Sequence, residues 1–193
     1  MSSRERAIAP GRPLVPSAVL GMAMFIAAEA MFFAGLISAF LVLRAQGGDW
    51  PPLGQPRLPV AVTGGNTLIL LLSGWTMMRA LARHRRGEAA VTRWLGATAL
   101  LGTTFLLIQG YEWVRLLGFG LTTSSSLYGA TFYTLVGAHG LHVLAAVASL
   151  LVAHRIASRP GDAAGGRWLE PYGMYWLFVV AVWPILYLLV YLT

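Results

Sequence analysis

Two carboxylates and two histidines are the residues whose types and positions could do chemistry in this chain. Glu29 and Glu112 are set within long apolar runs, and His139 and His142 stand three apart in another. A carboxyl can hold, accept or donate a proton, and an imidazole can do the same or ligate a metal. The i, i+3 spacing places both rings on one face of a helix. Metal or haem ligation fits poorly. Bis-histidine haem needs ligands from two facing helices, and the remaining histidines, His84 and His154, lie in or beside arginine-rich loops. A binuclear copper–haem centre needs more histidines than the four present, and the absence of Cys removes thiolate ligands and nucleophiles. No metal or cofactor site and no catalytic residue is therefore expected in this chain. Serine catalysis fits no better: Ser73 stands without a supporting base, and Ser124, Ser125 and Ser126 read as caps of a following helix.

The elements that position these residues follow from composition. The chain has 193 residues, 57% hydrophobic and 11% charged, with a mean hydropathy of +0.67. A soluble domain carries roughly 25% charged residues, so the expected surroundings are lipid. Pro13–Leu43 carries one charge, Glu29, while Leu58–Met78, Trp94–Tyr111, Leu116–Ala153 and Pro171–Thr193 carry none; Thr122–Ser126 marks a polar break. A spanning helix needs about 20 apolar residues. The pattern predicts an all-α bundle of five transmembrane helices at about 18–43, 58–81, 92–116, 128–153 and 172–192. They form one membrane domain, 18–193, behind an N-terminal arm, 1–17, and no segment reads as a cleaved signal peptide.

All 14 basic residues are arginine, against 7 acidic residues. The arginines lie between apolar runs rather than on one solvated face, which argues against nucleic acid and for lipid headgroups. With five alternating helices, eleven arginines fall on one side, including Arg4, Arg6 and Arg12, and three, Arg44, Arg57 and Arg115, on the other. The positive-inside rule then places the N-terminus in the cytoplasm and the C-terminus outside. Gln46–Pro59, with four prolines, reads as extended, and Ser158–Gly166 as a flexible connection. Trp50, Trp94, Trp113 and Trp168 fall near helix ends, where indoles favour the interface. Ala30, Ala34, Gly35, Ala39, Gly137 and Gly140 would let helices approach closely.

Glu29 is about 11 residues into the first helix, roughly 16 Å deep. A charge there costs at least ~2.5–3.5 kcal/mol. It reads either as a proton-handling or substrate-contacting carboxyl or as a protonated group hydrogen-bonded to a neighbouring helix or subunit. His139 lies at similar depth in the fourth helix, so a Glu–His contact between the first and fourth helices is geometrically possible. Glu112 and His142 join them as buried polar candidates, structural or proton-related, with Asn66 at the start of the second helix. Phe32 and Phe33 beside Glu29 read as lipid or packing surface.

The order of motifs resembles a known family. The first helix holds Ala28-Glu29-Ala30-Met31-Phe32-Phe33, the second Asn66-Thr67 and Ser73-Gly74, and the third Gln109-Gly110-Tyr111-Glu112-Trp113. The fourth reads Tyr128-Gly129-Ala130-Thr131-Phe132, then His139-Gly140-Leu141-His142-Val143, and the last holds Tyr175-Trp176 and Val182-Trp183. These are similar, in order and over nearly the whole chain, to subunit III of the haem–copper oxidases in its five-helix form. The family commonly has His and Asp in its last helix where Leu177 and Val180 stand here.

The resemblance implies a non-redox accessory subunit of a respiratory cytochrome c or quinol oxidase in a bacterial inner membrane. Haem and copper would reside in the partner catalytic subunit I. This chain would pack on that subunit, bind phospholipids between its helices and support proton uptake during reduction of dioxygen to water. An accessory subunit of a nitric oxide reductase shares much of the pattern. A small proton-coupled transporter, with Glu29 and His139 as its relay, is the reading from a different class; the broken helices and internal repeats common in transporters are not evident.

Overall fold

A computed structural model describes residues 16–46, 50–88, 90–158 and 167–192. Five helices organise them: α1 (Ser17–Gln46), α2 (Val60–Arg85), α3 (Val91–Gly118), α4 (Leu127–Ala157) and α5 (Leu169–Tyr187), the last continuing as a π-helical turn, Leu188–Leu192. All five are long and apolar enough to cross a membrane, and no strand occurs among the described residues. Only a helix satisfies every backbone group within one segment in lipid.

The helices outrun the apolar stretches that mark them. Arg83, His84 and Arg85 fall in the last turn of α2, Arg115 in that of α3, and His154 and Arg155 in that of α4. Cations favour the carbonyl end of a helix, and long arginine stems reach the headgroups, so helical winding continues past the hydrocarbon. The start of α4 is set as expected: Ser126 accepts a hydrogen bond from the backbone N–H of Gly129 at 3.1 Å. Residues 50–59 contain no helix. The arm 1–15 with Arg4, Arg6 and Arg12, and positions 159–166 of the expected flexible connection, lie outside the described residues.

Packing divides the bundle unequally. α2, α3, α4 and α5 form a closed ring, each against two neighbours, and α1 lies outside it against α4 and α5. In α1 only Phe33 and Phe40 are buried, whereas Met24, Met31, Phe32 and Val42 are exposed. Trp176 and Trp183 of α5 are fully buried and fill the ring with Phe105 of α3 and Phe132 of α4. The ring of Trp113 lies against Gly140, where an added Cβ would sit 2.7 Å from its Cη2. That small residue therefore sets the approach of α4 to α3. Of the expected interface tryptophans, Trp50 precedes α2, Trp94 lies in the first turn of α3, Trp113 near its end and Trp168 at the start of α5.

Candidate functional site

Glu29 and His142 meet at the seam between α1 and α4. The Nε2 of His142 lies 2.7 Å from Oε2 of Glu29, and its Nδ1 lies 2.7 Å from the carbonyl oxygen of Ala138. A carbonyl only accepts, so Nδ1 carries a proton. One further proton is then shared between Nε2 and Oε2. Whichever atom holds it, acid with imidazole or carboxylate with imidazolium, the pair is neutral overall. That neutrality is how a carboxyl is carried about 18 Å from the start of α1.

The rings around the pair explain its placement. Phe33 presents its edge to His142 at 5.0 Å, and Phe32 stacks on it at 5.9 Å. Phe33 is buried and Phe32 exposed, so the first packs inside and the second covers the pair on the outer surface. The pair is incompletely covered, with side-chain exposures of 18% for Glu29 and 16% for His142. It can hold a proton or exchange one through its uncovered side.

Depth along the chain makes a Glu–His contact between these two helices possible, and the structure makes it through His142 rather than His139. His139 is 1% exposed and turned into the ring, where it stacks on Trp183 at 5.0 Å and meets the edge of Phe33 at 6.2 Å. Neither of its nitrogens has a hydrogen-bond partner among the described residues. The other candidates are dispersed. Asn66 donates from Nδ2 to the carbonyl of Phe105 at 3.1 Å, tying α2 to α3. Glu112 is buried, and Arg115 one turn later donates to both its oxygens at 3.2 and 3.4 Å.

Several polar ties escaped the sequence reading. Trp183 donates from Nε1 to Thr67 Oγ1 at 2.9 Å, and Gln109 from Nε2 to Tyr191 Oη at 3.1 Å. Buried Glu170 accepts from Arg167 at 2.7 Å and lies 3.5 Å from Arg85, joining α5 to α2. Glu170 stands just ahead of the last charge-free run, and only its burial marks it. Leu177 and Val180 pack on α2: a Cβ at Gly74 would lie 3.1 Å from Val180 Cγ1 and 3.9 Å from Leu177 Cδ2. The positions where the resemblance puts His and Asp are thus apolar contacts here. Among the described residues no three His, Cys, Asp or Glu side chains group closely enough to hold a metal ion.

Comparison with known proteins places the chain in a family over nearly its whole length. The family model described as cytochrome c oxidase subunit III matches residues 14–193. The cytochrome c oxidase subunit 3 of a Synechocystis species is 37% identical over 177 residues, covering 90% of this chain and 75% of that protein. The protein of the same name from Corynebacterium diphtheriae is 35% identical over 196 residues, covering 99% and 94%. A probable cytochrome c oxidase subunit 3 from Mycobacterium leprae is 36% identical over 178 residues, covering 89% and 86%.

Proposed function

We propose a specific role for this chain, which belongs to the cytochrome c oxidase subunit III family: α1 and the Glu29–His142 pair face the catalytic subunit of a haem–copper oxidase. The chain is the accessory subunit of such an oxidase, a multi-pass membrane protein working in a complex with other oxidase subunits. The observation that carries the finer reading is the position of α1. It lies outside the ring, exposes most of its apolar surface and carries a proton-sharing pair that its own chain leaves partly uncovered. In lipid, apolar exposure alone asks for no partner, but a partly covered polar pair near mid-bilayer does.

In this reading haem and copper belong to the neighbouring subunit I, and this chain supports proton uptake there as dioxygen is reduced to water. Phospholipid fills the apolar groove between α1 and α5, lined by Ala30, Phe33, Ala34, Phe178 and Ile185, with a volume of about 320 Å³. The N-terminus is cytoplasmic, on the arginine asymmetry of the loops, and the membrane is the bacterial inner membrane, on the bacterial oxidase subunits the chain is similar to.

Tagged purification in mild detergent tests the role. The tag should recover subunit I and a reduced-minus-oxidised haem spectrum, and the chain purified alone should carry none. Recovery without haem or subunit I would count for a transporter; a nitric oxide reductase subunit in its place would name the other complex.

A further inference from the structure

We propose that Trp75, Arg79 and Trp94 form a headgroup site for one anionic phospholipid on the lipid-facing side of α2 and α3. The Arg79 guanidinium carbon lies 5.4 Å from the centroid of the Trp75 ring and 5.7 Å from that of Trp94. The two indoles meet edge to face at 5.5 Å. The cation is held at a fixed place instead of sweeping the interface, which lowers the entropy cost of binding.

Three observations point to a phosphate as its ligand. Arg79 is exposed, and no carboxylate lies within ion-pair distance of it among the described residues. The other arginines at this end of α2 are already engaged: Arg83 and Arg86 with Glu88, Arg85 with Glu170. A guanidinium fork without a carboxylate matches a phosphodiester in shape and charge.

The length of the site points to a lipid rather than a free ion. Leu68, Leu72, Trp75 and Arg79 follow one another at helical spacing on one face of α2, and the three apolar ones are exposed by 67%, 49% and 45%. From Leu68 to Arg79 is about 16 Å of helix, close to the half-thickness of a hydrocarbon core of about 30 Å. An acyl chain lying on Leu68 and Leu72 therefore brings its phosphate to Arg79. The site lies on a different face from the α1–α5 groove and does not depend on the oxidase role.

Native mass spectrometry of the complex, released from nanodiscs of mixed phosphatidylglycerol and phosphatidylcholine, tests this. The wild type should retain phosphatidylglycerol in preference. Arg79→Gln should lower that retention about fivefold, the loss of one interfacial arginine's attraction. Trp94→Leu keeps the charge but releases its hold, and should lower retention in part. Arg86→Gln removes the same charge from the same end and should leave retention unchanged, and inorganic phosphate should not displace the lipid. Equal losses from Arg79→Gln and Arg86→Gln would reduce the effect to diffuse charge and overturn the site. Displacement by inorganic phosphate would overturn the lipid, and release of a partner subunit by Arg79→Gln would replace it with a partner's carboxylate. If Arg79→Gln fails to assemble, Arg79→Lys decides: it keeps the charge without the fork, and unchanged retention would overturn the proposal.

Discussion

The imidazole of His142 bridges Glu29 of α1 and the Ala138 carbonyl of its own helix, with 2.7 Å on each side. The carbonyl fixes which nitrogen is protonated, and the carboxyl shares the remaining proton. The bond joins the outermost helix of the bundle to the ring of the other four.

Glu29→Gln should leave assembly intact, because the amide can donate to His142 Nε2 as a protonated carboxyl would. Glu29→Lys places an ammonium at the same depth with no counter-charge, at a cost of about 2.5–3.5 kcal/mol or more. Co-purification with subunit I measures both, and equal recovery would contradict the neutral-pair account.

Coupling between the two residues should appear in a double-mutant cycle of Glu29→Ala and His142→Ala. Interhelical hydrogen bonds in membranes are worth about 0.6 kcal/mol on average and up to about 1.7. Detergent-denaturation midpoints of the purified complex give the number; additive losses would show that the contact carries no energy. His139→Ala should be additive with Glu29→Ala, since His139 packs on Trp183 instead.

Two glycines three residues apart should respond oppositely to alanine. At Gly140 the new Cβ meets the Trp113 ring at 2.7 Å, which should cost about 1–3 kcal/mol. At Gly137 nothing lies within 4 Å, and the gain in helix propensity, up to about 1 kcal/mol, is unopposed. Thermal denaturation in detergent distinguishes them, and similar losses at both would refute the close contact.

Arg115→Gln should destabilise the complex more than Glu112→Gln. The Glu112 side chain is 6% exposed and that of Arg115 47%. Removing the arginine strands a buried carboxylate, at roughly 1–3 kcal/mol, whereas removing the carboxylate's charge leaves a guanidinium that reaches water. The reverse order in denaturation midpoints would refute the assignment.

The sequence by itself determined the number of helices, because lipid demands about 20 apolar residues per span and leaves no ambiguity about where charges interrupt them. Ser126 as a cap was legible too, since capping is a local matter of one hydroxyl and the turn that follows. Helix ends were less so: a cation-rich last turn winds on past the apolar run that announces it. The depths of Glu29 and the fourth-helix histidines can be counted along the chain, which shows that a contact between these two helices is possible. Which histidine makes it could not be counted. His139 and His142 differ by about 60° around the helix axis and one turn along it. That rotation is set by the large rings packed in the bundle, where Trp183 takes His139 inward and leaves His142 at the seam with Glu29. The place of α1 outside the ring was likewise hidden, because a lipid-facing helix and a buried one are equally apolar. Side-chain shape fitting between helices decided both, and no single stretch of sequence carries that information.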